Sequence, residues 1–167
     1  NPHVPTNASY KDFRAVIDGQ QRLTSLYIGL CGTYAYKKPR VWWPSTRDDK
    51  VLPPRKLYLD LKAPLESEDD ESLMYYNFKF LTDQQYQQSL ASADHKHHWF
   101  CMHDLLKFSH VDGAHHVWSQ VVKPYVTQHG LEDNEYSLDT LGQLYDAFRS
   151  QRVIHYFKEN SQEIDHV

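Results

Sequence analysis

The chain has 167 residues, of which 40% are hydrophobic and 24% charged, values that fit one globular domain and exclude a disordered chain. A net charge of −4 excludes a protein whose whole surface binds nucleic acid. The apolar runs are only a few residues long, so we expect neither a membrane-spanning helix nor a signal peptide.

The first third of the chain predicts a strand, a turn and a helix. Residues 13–17 are mostly apolar and end in β-branched side chains, as in a strand, and Asp18-Gly19 supplies a turn. A helix is predicted over 20–37, with Pro39 after its end, because apolar residues repeat at helical spacing. Gly29 and Gly32 lie opposite this stripe and predict a helix that is buried on two sides. The stripe consists of Leu23, Leu26, Tyr27, Leu30 and Tyr34.

The rest of the chain predicts a small sheet followed by helices. Two alternating runs, 56–61 and 75–80, are expected to pair across an acidic loop. The other predicted elements are an irregular excursion over 39–54, a polar helix over 83–90 capped by Asp83, a strand over 99–102 with a helical turn through Phe108, helices over 114–128 (bent or ended by Pro124) and 138–148 (capped by Ser137), and a strand over 152–157.

These elements predict an α+β fold in one domain. The small sheet and the strand–turn–helix fall within 1–112, and 113–167 forms a mainly helical extension. Because the chain starts at Asn1 and residues 163–167 resemble the opening of another element, we expect an incomplete domain excised from a longer protein.

The segment Asp18-Gly19-Gln20-Gln21-Arg22 is the strongest candidate for chemistry. The first turn of a helix presents backbone N–H groups and the positive end of the helix dipole, which favour a bound anion. Gly19 lets a phosphate approach the backbone, and the planar guanidinium of Arg22 matches phosphate oxygens. Asp18 is a candidate ligand for Mg²⁺, and the amides of Gln20 and Gln21 can orient a water or contact a base.

The same spacing also fits a purely structural role. Asp18 could be the N-cap, with Gln21 completing a pair like a capping box. Arg22 could pair with Asp18 along the helix, a contact worth about 0.2–0.5 kcal/mol. The motif would then only cap a buried helix, and the protein would act as a scaffold.

The eleven residues from Val16 to Leu26 resemble the signature of the GmrSD-type restriction family, whose N-terminal module is catalogued as domain of unknown function 262. That signature is an apolar pair, then D-G-Q-Q-R-L-T, then a small hydroxyl residue and Leu. Weaker agreement extends through 57–61, 78–80, Trp99 and 152–157.

The resemblance implies an α/β core related to the ParB and sulfiredoxin group, in a cytoplasmic prokaryotic protein that defends against phage by targeting DNA. It also implies binding and hydrolysis of a nucleoside triphosphate with Mg²⁺ through Asp18, Gly19, Gln20, Gln21 and Arg22, and we place Thr24 beside them in the nucleotide site. The family's flanking segments and its nuclease module are not visible in this sequence. We therefore expect missing segments of the same chain to complete the site, and we assign no DNA cleavage to this piece.

A second hypothesis rests on residues 37–56, which contain seven basic residues and two acidic ones. Aromatic rings among cations can stack bases and hold phosphates, which predicts a non-catalytic module that binds DNA or a partner protein. For the two tryptophans we favour a plainer interpretation, in which they anchor the excursion by packing onto the domain. The candidate residues are Arg40, Trp42, Trp43, Arg47 and Lys50.

The histidines and cysteines predict no metal site and no disulfide. His95, His97, His98 and His103 lie in a polar region that we interpret as a solvated loop, without the cysteine partners of structural zinc. Cys31 and Cys101 are expected to be two buried thiols in a reducing cytoplasm.

Overall fold

The computed structural model describes residues 19–37, 39–40, 42–43, 48–65, 76–92 and 95–151. Two predicted strands, over 13–17 and 152–157, lie outside these residues. Within the described ranges, no helix is both long and apolar enough to cross a membrane. The elements are α1 (Gln20–Leu30), β1 (Tyr34–Ala35), β2 (Pro54–Asp60), β3 (Phe78–Leu81), α2 (Asp83–Leu90), β4 (Trp99–Cys101), a 3-10 helix (Met102–Lys107), α3 (Ala114–Val117), a π turn (Trp118–Val122), α4 (Lys123–His129) and α5 (Glu135–Arg149).

Within the described residues, the sheet has four strands, and their pairings are all antiparallel, with β2 at the centre. Leu59 of β2 lies opposite Phe78 of β3 and opposite Phe100 of β4. The predicted pairing of the two alternating runs is therefore confirmed, although β3 begins at Phe78 rather than at residue 75. Together with the helices, this sheet confirms the α+β class.

Successive side chains of β2 point to opposite faces of the sheet. Leu59 enters the core beneath the C-terminal helices, whereas Tyr58 stacks on Tyr86 of α2 on the other face, with ring centroids 4.8 Å apart. Asp60 shares the face of Tyr58. The core lies between the sheet and the C-terminal helices and contains Leu59, Leu61, Phe100, Met102, Leu105, Val122, Val126, Leu131 and Leu141.

Helix α1 is confirmed, but it ends at Leu30 rather than Lys37 because the following residues, Tyr34–Ala35, pair with β2. The prediction that this helix is buried on two sides is wrong. Leu23, Leu26 and Tyr27 are exposed, and Gly29 is the one fully buried residue of the helix. Only the C-terminal half of α1 reaches the sheet, where a Cβ at Gly29 would lie 3.4 Å from Leu57 Cδ2.

The helical run after Ala114 does not end at Pro124 but continues as α4 to His129. A π turn precedes the proline, and the backbone N–H of Lys123 donates to the carbonyl of Trp118, five residues back. Pro124 then occupies the first turn of α4, directly after the π turn. The described part of the predicted helical extension, up to Gln151, is mainly helical.

For two helices, the N-cap is an earlier residue than the predicted one. Thr82, not Asp83, is the N-cap of α2: its Oγ1 accepts from Gln85 N at 3.1 Å, and Gln85 Oε1 accepts from Thr82 N at 3.0 Å. Asn134, not Ser137, is the N-cap of α5. The buried hydroxyl of Ser137 instead donates to the carbonyl of Leu61 at 2.6 Å and so ties the helix to the sheet.

Candidate functional site

The first turn of α1 carries the described part of the sequence motif. Gly19 is the N-cap and adopts the left-handed conformation, with φ 76°, which glycine tolerates better than any other residue. The backbone N–H of Leu23 donates to the Gly19 carbonyl at 3.0 Å, so the helix starts directly after this glycine. Asp18 lies outside the described residues. Because Gly19 is the N-cap, the alternative in which Asp18 is the N-cap is wrong.

Arg22 folds back toward the glycine. A Cβ added at Gly19 would lie 3.4 Å from Nη2 of Arg22 and 3.6 Å from its Nε. Gly19 and Arg22 are thus brought together at the helix tip. Among the described residues, the first turn contains no acidic side chain that would oppose a bound anion.

The remaining motif residues lie on the surface. Gln20, Gln21, Arg22 and Thr24 are exposed, and the Gln21 carbonyl accepts a hydrogen bond from Ser25 Oγ at 2.9 Å. The tip is therefore accessible. Two open clefts, of about 650 and 290 Å³, flank α5 instead, and neither is lined by α1.

The described part of the basic stretch has solvent-exposed rings. Trp42 and Trp43 are 93% and 71% exposed, so the interpretation that they anchor the excursion by packing onto the domain is wrong. The Lys37 ammonium lies 6.0 Å from the centre of the Trp43 ring. Arg40 and Lys50 are also exposed, and Arg47 lies outside the described residues.

A polar cluster that the sequence reasoning missed surrounds Asp60. This carboxylate is completely buried, and its Oδ1 accepts from the backbone N–H groups of Lys62 and His98, each at 3.0 Å. Its Oδ2 lies 2.5 Å from His97 Nδ1 and 3.4 Å from Asn77 Nδ2. The sequence did contain a signal, namely an acidic residue at the end of a largely apolar strand. Such a carboxylate is buried only where several donors surround it, so a polar cluster could have been predicted there.

His98 points to the opposite side from Asp60 and belongs to an aromatic group. Its Nε2 lies 2.9 Å from the Tyr125 hydroxyl, and its ring lies 4.9 Å from that of His129. Burial, assisted by the charge of His129, lowers the pKa of His98 to about 4. Burial also raises the pKa of Tyr125. At neutral pH, the hydrogen bond between Tyr125 and His98 therefore joins two uncharged groups.

The interpretation of the histidines as a solvated loop holds for His95 and His97, which are exposed on a loop, although His97 also contacts Asp60. It is wrong for His98 and His103, which are half-buried; His103 Nε2 lies 2.8 Å from the carbonyl oxygen of Gly32. No group of three or more candidate ligand side chains that could hold a metal ion is found among the described residues.

The two cysteines are free thiols, but they are not both buried. Cys31, directly after α1, is exposed, and Cys101, at the end of β4, is half-buried. The expectation of two buried thiols is therefore wrong.

Comparison with known proteins adds no relative: no family model matches the chain, and no curated protein matches it.

Proposed function

We propose that this chain is a piece of a DNA-targeting, restriction-type defence protein of the prokaryotic cytoplasm, and that the tip of α1 binds a nucleotide. The observation that carries the proposal is the accessible first turn of α1, with Gly19 as N-cap and the Arg22 guanidinium beside it. The motif resemblance supplies the class of protein. The exposed tip meets the steric requirement of a phosphate site, which a buried tip would fail.

Each residue of the tip has a role in this proposal. The amides of the first turn and the Arg22 guanidinium contact the nucleotide phosphates, which Gly19 allows to approach closely. The Gln20 and Gln21 amides position the water that attacks the terminal phosphorus, and Thr24 adds a hydroxyl one turn further along the helix. The described residues of the tip contain no carboxylate, so Mg²⁺ would depend on Asp18 and the nucleotide itself. No step is assigned to the ion.

The proposal is tested by titrating the protein with ATP and with GTP, in the presence of Mg²⁺, by isothermal calorimetry. Replacing Arg22 with Gln removes charged hydrogen bonds worth about 1.5–3 kcal/mol, so the Kd should rise roughly tenfold to a hundredfold. Arg40→Gln, another exposed arginine, is the matched control and should leave the Kd unchanged. Equal affinity of the wild type and Arg22→Gln for both nucleotides would contradict the proposal.

A second function is favoured by the exposure of Trp42 and Trp43. Two open indole rings next to Lys37 and Arg40 have the composition of a platform for single-stranded nucleic acid, on which bases stack while cations hold phosphates. In this alternative, the chain is a non-catalytic module that binds DNA, and the tip of α1 is dispensable.

The two functions are distinguished by measuring the binding of a single-stranded oligothymidylate at increasing salt concentrations, with tryptophan fluorescence as the readout. Trp42→Ala should weaken binding about tenfold, because stacking on one base contributes roughly 1–3 kcal/mol. Trp118→Ala removes a ring that is 42% exposed in the π turn and serves as the control. Binding that is insensitive to salt, or equally sensitive to both variants, would exclude this surface.

A further inference from the structure

The Asp60–His97 pair combines a buried carboxylate with an accessible imidazole. Asp60 is held by two backbone N–H groups and by Asn77, so its position is fixed without His97. The His97 side chain is 43% exposed, whereas that of Asp60 is completely buried. A neutral histidine with its Nδ1–H on a carboxylate has an unprotonated Nε2, and this is the arrangement of a histidine oriented for proton transfer.

Two lysines of the described part of the chain bring positive charge close to His97. Its ring lies 5.5 Å from the ring of Trp99, and the ammonium of Lys79 lies 5.2 Å from the centre of that same indole. The ammonium of Lys62 donates to the carbonyl of His95, two residues before His97. Among the described residues, the carboxylate that contacts His97 is Asp60, which already accepts from three other donors, so the positive charges of Lys79 and Lys62 favour an anion at this surface.

We propose that His97 is a proton-transfer site for a phosphate-bearing ligand, with Lys79 as its charge partner. In the protonating step, a P–O–H group of the ligand gives its proton to Nε2 of His97. The product is an imidazolium whose Nδ1–H still donates to Asp60, and a phosphate with one more negative charge. A phosphate group suits this step because its second ionisation falls near neutral pH.

This site is separate from the nucleotide site proposed at α1. Asp60 and Trp99 are paired in the sheet and share the face that α2 covers, whereas Gly29 of α1 packs against Leu57 on the opposite face. The two sites can therefore be tested independently of each other.

The test follows the ring signals of the histidines by NMR while inorganic phosphate is added to the full chain at constant ionic strength. Two features are expected: the free protein shows the Nδ1–H tautomer at His97, and phosphate shifts the His97 ring signals in a saturable way. Lys79→Gln should weaken this binding by up to about fivefold. Arg22→Ala should leave the His97 response intact, which separates it from phosphate bound at α1.

His97→Asn distinguishes this role from a structural one. The asparagine amide can still donate to Asp60 near the position of Nδ1, so the thermal midpoint should be retained, but the outward nitrogen is lost. Phosphate should also shift the signal of the Trp99 indole N–H of the wild type in a saturable way, because this ring lies beside His97, and in the variant this response should disappear. The matched control His95→Asn should keep it. An unchanged response in His97→Asn, or a wild-type His97 that carries its proton on Nε2, would overturn the proposal.

Discussion

His98 should make the stability of the fold depend on pH between about 4 and 6.5. Burial and the neighbouring His129 lower its pKa from 6.5 to about 4, so over this range the unfolded chain binds more protons at this residue than the folded one does. Stability should therefore fall as the pH decreases from 6.5 to 4. A displacement of this size corresponds to about 3 kcal/mol for a fully buried ring, and the partial exposure of His98 reduces the expected loss to roughly 2 kcal/mol.

The assay is urea denaturation, followed by tryptophan fluorescence, of the wild type and His98→Gln at several pH values between 4 and 7. Carboxylates also destabilise the fold in acid, so the quantity of interest is the difference between the two proteins. Glutamine can accept from the Tyr125 hydroxyl but does not titrate. The wild type should lose about 2 kcal/mol more than the variant over this range. Parallel losses in both proteins would refute the reasoning.

Two further predictions concern polar contacts that join elements of the fold. Tyr145 is completely buried, and its hydroxyl accepts from Val111 N at 2.8 Å and donates to Ser109 O at 2.7 Å; Tyr145→Phe should therefore cost about 1–3 kcal/mol in urea denaturation, and a cost near zero would contradict the described contacts. Thr82→Ala removes the capping box of α2 and should lower the free energy of unfolding by about 1 kcal/mol, whereas Thr82→Ser should keep most of it; equal losses in both variants would exclude the cap as the cause.

The elements that sequence predicted well are those with a local signal. Alternating side chains in β2 and β3 give both the strands and their pairing, since the periodicity of a strand is visible within a few residues. Gly19 before a helical stripe gives the start of α1. The caps of α2 and α5 were predicted one and three residues late, because Thr82 and Asn134 precede the first apolar residue of their helices by different distances.

What sequence could not predict depends on contacts between distant residues. The apolar stripe of α1 predicts a buried helix, but its burial depends on how much of the sheet lies beneath it, and Leu23 and Leu26 extend past that surface. Asp60 and His97 are 37 positions apart, so neither residue alone indicates the pair. The exposure of Trp42 is also a tertiary property that its hydrophobic side chain does not reveal.

The most direct test of the proposed nucleotide site is the response of the backbone amides of α1 to ATP in ¹H–¹⁵N NMR spectra. Bound phosphate at the helix tip should shift the amide signals of Gln20, Gln21 and Arg22 in a saturable way, while the signals of α5 stay unchanged. If ATP leaves these three amides unshifted at concentrations that saturate any binding seen by calorimetry, the nucleotide does not bind at this tip and the proposed function is wrong.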